Sequence, residues 1–170
     1  MLFLQVESSS PRFSGAVFGF VFAVAWDVVK NNRREAREER RALQLLRSEV
    51  IANIALLELI QEQLSKDSEL AKENKELVPP LPLLPTRAWE SVHLAGGLSD
   101  DREQLAQELR ETYLVVTILN QRIQARETYR AMNQAMSNYG ARRQILNRDL
   151  LESVEKVLDR FRAHLKQLAP

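Results

Sequence analysis

Residues 79 to 85 read PPLPLLP, so four of the chain's six prolines fall within one short stretch. Proline has no N–H to donate, and its ring collides with the preceding helical turn. No helix crosses this stretch, and an extended polyproline path is favoured. The rest of the chain favours helices: five Gly, 6% aromatic residues and an abundance of Leu, Ala, Glu, Arg and Gln match long helices rather than sheets. The expected fold class is therefore all-α, with a Pro-rich hinge at 78–86 inside a helical bundle spanning 43–170. The net charge of +1 supplies no general attraction to nucleic acid. The absence of Cys removes disulfides, thiolate metal sites and cysteine nucleophiles, and suits a reducing compartment.

Upstream, the run from Phe13 to Val29 is apolar or small except for Ser14 and Asp27. As a helix it covers roughly 25 Å at ~1.5 Å per residue, near the lower limit for crossing a bilayer. Trp26 and Asp27 close the run, and Lys30, Arg33 and Arg34 follow at once, the aromatic and basic pattern of a membrane interface. The expectation is a short N-terminal segment, 1–12, and a single transmembrane helix, 13–30. The positive-inside rule then places the N-terminus outside and the bundle in the cytoplasm, at the inner (plasma) membrane. A cleaved signal peptide is the competing reading, because Ala23 to Ala25 has a small-x-small form. Against it, the residues ahead of the core contain Glu7 and only one basic side chain, Arg12. Gly15, Gly19 and Ala23 recur every four residues, a seam on which two membrane helices pack closely.

Residues 31–42, rich in Arg and Glu, place opposite charges at helical spacing, as in Arg34 with Glu38, and read as a charged helical stalk. Beyond it Leu43, Leu46, Val50, Asn53, Leu57, Ile60 and Leu64 step by three and four, a heptad seam. Ile51, Ile54 and Leu56 widen that seam toward a bundle face. Asn53 breaks it with an amide suited to fixing register. The pattern weakens through SKDSELAKENKE before the prolines. Pro82 to Arg87 also fits a proline-rich ligand followed by a basic residue, although leucines between prolines commonly tuck onto their own domain.

Thr86 is positioned to cap a short helix through RAWESVHLA that stops at Gly96-Gly97. Ser99, Asp100, Asp101 and Glu103 then open a long helix. Its stripe is Leu105, Leu109, Thr112, Val116, Leu119 and Ile123, with Tyr113 and Asn120 alongside; it is expected to reach about Ser137 and to break at Tyr139-Gly140. Ile145, Leu150, Leu151, Val154, Leu158, Phe161, Leu165 and Leu168 mark the apolar face of a last helix. Three long helices and one short one, joined by short connections, are expected to pack antiparallel.

Through PTRAWE, the glycine stop after it, and a helix holding Tyr113 and Asn120, the chain resembles uncharacterised bacterial single-pass membrane proteins. That resemblance implies a short anchor, an Arg/Glu-rich juxtamembrane helix and a cytoplasmic helical region, and it implies no reaction. Trp89, Tyr113 and Asn120 carry it. With Asn53 they are the candidate register-setting residues of the bundle.

No catalytic or metal-binding constellation stands out. His93 and His164 lie on different segments and form no His-x-x-x-His pair, and no glycine-rich phosphate loop is present. The expected protein is not an enzyme and takes no cofactor. It is a membrane-anchored, self-associating scaffold or adaptor whose partners are the bilayer, itself and a further protein. The alternative is an accessory single-pass subunit of a transporter, channel or defence complex. Neither nucleic acid nor a small-molecule substrate is expected.

Overall fold

A computed structural model describes residues 12–73, 75, 79–96, 98–133 and 138–168. Among them the regular secondary structure is all helical: α1 (Arg12–Lys72), α2 (Arg87–Leu94), α3 (Glu103–Asn133) and α4 (Tyr139–Gln167), with a short 3-10 turn at Asp100–Arg102 ahead of α3. The chain divides into two compact units, Met1–Arg40 and Arg41–Pro170.

In the first unit the described side chains of α1 are solvated, and Arg34 donates through Nε to Glu38 Oε1 at 2.8 Å. Trp26, Asp27, Lys30, Arg33 and Arg34 are all exposed. Gly15, Gly19 and Ala23 lie on the backbone of α1, but their side chains fall outside the described residues. Among the described residues no helix is long and apolar enough to cross a membrane. The fold thus lends no support to the span expected over 13–30.

The second unit is built on three heptad stripes. On α1, Leu46, Val50, Asn53, Leu57, Ile60, Leu64, Asp67 and Ala71 are buried in strict 4-3 alternation. On α3 the same spacing buries Leu105, Leu109, Thr112, Val116, Leu119, Ile123 and Arg126, and on α4 it buries Arg143, Asn147, Leu150, Val154, Val157, Phe161, His164 and Leu168. Each fully buried Leu, Ile or Phe contributes about 1.5–3 kcal/mol by leaving water, so the apolar middle of the bundle supplies the drive to fold. Polar residues occupy the same stripes toward both ends.

Three expectations are corrected. The α1 stripe does not fade in SKDSELAK, because Asp67 and Ala71 continue it to the helix end. Tyr139-Gly140 opens α4 rather than separating two helices, and α3 ends at Asn133, with residues 134–137 outside the described set. Ile145 faces solvent, and Val157 and His164 take places in the core that were assigned to other residues.

The largest correction concerns topology. Glu58 meets Arg162 and Asp67 meets Asn147, so α1 and α4 run antiparallel. Thr112 meets His164 and Arg126 meets Asn147, so α3 and α4 also run antiparallel. Hence α1 and α3 are parallel, and the segment between them must return the length of the bundle. It does so along α3: Leu81 bonds to Glu127, Leu84 to Asn120, and Trp89 stacks on Tyr113. Extended residues cover ~3.1 Å each against ~1.5 Å in a helix, so a few prolines and leucines span the roughly 20 Å of α3 between Glu127 and Tyr113. Leu81 and Leu84 are buried in the process. Residues 79–86 therefore form a strap seated on the bundle, not a free hinge. Gly96, just past α2, takes φ +105°, a left-handed turn in which a side chain would be strained.

Candidate functional site: the strap clamp and the polar ends of the bundle

Three groups of buried polar residues sit where the elements meet. The first clamps the strap. Glu49 on α1 accepts the backbone N–H of Ala88 at 2.7 Å and of Trp89 at 3.2 Å, the donors left over at the start of α2. Thr86 occupies the N-cap position but does not cap; its hydroxyl donates instead to Glu90 Oε1 at 2.6 Å. Asn53 Nδ2 donates to the Pro85 carbonyl at 3.0 Å. Asn120 grips Leu84 from both sides, accepting its N–H and donating to its carbonyl, each at 2.9 Å. The Trp89 ring lies flat between His93 and Tyr113, with centroids at 5.5 and 5.4 Å, and Tyr113 meets Phe161 edge-on. Burial, reinforced by the facing Glu49 carboxylate, pushes the Tyr113 hydroxyl pKa above its ordinary value.

Asn53, Trp89, Tyr113 and Asn120 are thus gathered into one assembly, drawn from α1, α2 and α3. Glu49, its central carboxylate, was not legible as part of it, because a lone Glu on a helix reads as solvated.

The second group closes the far end of the bundle. Asp67 Oδ2 accepts from Arg126 Nη2 at 2.6 Å and from Asn147 Nδ2 at 2.8 Å, and lies 3.3 Å from Arg143 Nε. Arg126 Nε donates to Asn147 Oδ1 at 2.8 Å, and its Nη1 pairs with Glu127. Arg143 Nη2 donates to the Lys75 carbonyl at 2.8 Å, and its guanidinium lies over the Tyr139 ring. Arg126 and Arg143 thus meet at Asp67, and Glu127 is shared between Arg126 and Arg130. The Asp67 and Arg126 side chains are each 2% exposed. Asp67, Arg126, Arg143 and Asn147 occupy heptad positions on three helices. No single helix shows a signal for them, since a charge at such a position reads as an interruption of the stripe.

The third group lies at the opposite end. Thr112 donates its hydroxyl proton to the Glu108 carbonyl at 2.9 Å, so the 2.9 Å contact with His164 assigns the imidazole proton to Nε2. Nδ1 then faces Glu108 Oε2 at 3.9 Å without a hydrogen bond. Burial pushes the His164 pKa below its ordinary value, against an opposing pull from Gln167 and Glu108.

Among the described residues no group of three or more His, Cys, Asp or Glu is placed to hold a metal ion. The partners of these polar groups come from neighbouring helices and from the strap, so what they do is connect elements. The fold and its polar groups define a strapped three-helix bundle. No family model, curated protein or solved structure matches the chain.

Proposed function

We propose that the chain is a membrane-anchored, self-associating scaffold whose bundle presents a surface to protein partners. The observation that carries this reading is the contrast between a bundle tied internally at three levels and large apolar side chains left outside it. Leu45, Ile51 and Leu59 on α1 and Leu114 and Ile118 on α3 are exposed. Exposed apolar surface on a rigid body is a common mark of protein interaction. The anchor is residues 13–30, supported by the apolar run from Phe13 to Val29 and the basic block that follows it. It holds the chain at the inner membrane with the bundle in the cytoplasm. The polar groups serve rigidity rather than chemistry, and the protein is not an enzyme.

The test is fractionation followed by crosslinking of the full chain in mild detergent. Recovery with membranes after alkaline washing, together with homomeric products, supports the reading. A monomer that co-purifies with another membrane protein would replace the scaffold by an accessory subunit. Recovery in the wash would remove the anchor.

A further inference from the structure

Along the strap, Pro79, Pro82 and Pro85 recur every third residue, and Leu81 and Leu84 repeat at the same interval beside them. A polyproline helix turns once in about three residues, so this spacing sorts the strap into three edges. Burial follows the same period. Leu81 and Leu84 are 5% and 3% exposed and form the edge seated on the bundle. Pro79, Pro80 and Leu83 are exposed, and Pro82, Pro85 and Thr86 are partly buried, so the other two edges keep access to solvent. Arg87, where the strap passes into α2, is also exposed. The backbone is held from beneath at three residues. Glu127 accepts from Leu81, Asn120 holds both backbone polar groups of Leu84, and Asn53 donates to the carbonyl of Pro85.

We infer that the seated strap is itself a docking ligand, taken by a protein domain whose groove is lined with aromatic side chains and ends in an acidic pocket for Arg87. The inference deepens the scaffold reading by naming the partner's chemistry, and it rests on that reading. Pro82 and Pro85 share one edge at the Pro-x-x-Pro spacing that aromatic grooves read in a polyproline ligand, and the Arg87 cation follows two residues later. A strap that served only as a stiff connection would need prolines, but no fixed interval between them and no exposed cation at their end. A free proline-rich segment gives up part of its binding energy to ordering. Here the clamp has already fixed the conformation, so a partner meets a ligand whose ordering cost was met in folding. Asn53, Asn120 and Glu127 grip the strap by its backbone, which leaves the proline side chains to be read from outside.

The probe is a purified SH3 domain that selects the order Pro-x-x-Pro-x-Arg, titrated by calorimetry into the full chain in mild detergent and into a synthetic peptide of residues 79–88. The expected result is binding to the full chain several-fold tighter than to the peptide. Arg87→Glu, which reverses the exposed charge, should weaken binding about tenfold or more. Asn120→Ala, which loosens the strap while keeping its sequence, should bring the full chain down to the peptide's affinity. Circular dichroism should show both variants helical. Tighter binding by the peptide, or a gain in affinity with Asn120→Ala, would overturn the inference, because the groove would then need the leucine edge that the bundle covers. Equal binding by Arg87→Glu and the parent, or no binding to the full chain, would overturn it as well. Self-association and anchoring are read by crosslinking and fractionation and do not depend on Arg87, so loss of the docking ligand would leave the scaffold reading in place.

Discussion

Glu49 does for α2 what the residue at its N-cap position does not. Its carboxylate reaches across from α1 to accept two backbone donors of the short helix, where a side-chain cap ordinarily comes from the N-cap itself. Removing it leaves two amides in a half-buried setting without acceptors, each a loss on the order of 1–3 kcal/mol. Glu49→Ala should therefore lower the midpoint of thermal unfolding by about 8 °C or more, at roughly 4 °C per kcal/mol. Glu49→Gln, which keeps one acceptor oxygen, should lose less. A Glu49→Ala protein as stable as the parent would show that α2 holds without this cap. His164 gives a second residue-scale outcome. Its folded-state pKa lies below the unfolded value of about 6.5 because burial penalises the imidazolium. Above that value both states are neutral and the group contributes nothing; as pH falls through it, the unfolded chain takes up the proton more readily and the fold is destabilised. Thermal midpoints should fall on acidification from pH 7 toward 5, and His164→Gln should flatten that slope while keeping a donor to Thr112.

At the scale of elements, the ionic group around Asp67 joins α1, α3 and α4 at one end. Breaking a buried pair leaves uncompensated charge, which costs about 3–5 kcal/mol. Asp67→Ala strands both Arg126 and Arg143 and should show that loss in urea unfolding; a loss under about 1 kcal/mol would mean the arginines find water or Glu127 instead. The same group marks the limit of what the sequence discloses. Leu46, Val50, Leu57, Ile60 and Leu64 declare the core face of α1 because apolar periodicity survives without knowledge of a partner. Asp67, Arg126, Arg143 and Asn147 continue the periodicity in residues whose burial makes sense only when the other helices are in place. Trp89, Tyr113 and Asn120 stood out as candidates, since an aromatic beside a proline stretch and an amide beside an apolar stripe are individually conspicuous. The direction of α3 relative to α1 was not legible. It depends on the strap lying along α3, and the residues that hold it there are scattered from Glu49 to Glu127.

At the scale of the whole molecule, the proposed self-association predicts that crosslinking of the full chain in mild detergent gives homomeric products. If the proposed Gly15, Gly19 and Ala23 seam carries it, Gly19→Ile, whose branched side chain would hold two such helices apart, should reduce those products. Homomers that survive the substitution would place self-association on some other surface.

The parallel course of α1 and α3 also bears on how quickly the bundle forms. Helices α3 and α4 are close neighbours in sequence and meet after a short connection, whereas α1 finds α3 only when the strap has been laid down across residues 79–86. Contacts between distant parts of a chain carry a larger loop-closure penalty and form late. The α3–α4 hairpin is therefore expected to be the nucleus and α1 the last helix to dock. In stopped-flow refolding, Leu119→Ala on α3 should slow the folding arm, while Leu57→Ala on α1 should act mainly by speeding unfolding. During synthesis α1 is made first and buried last, so its core stripe stays open to water until the helices that cover it have been translated.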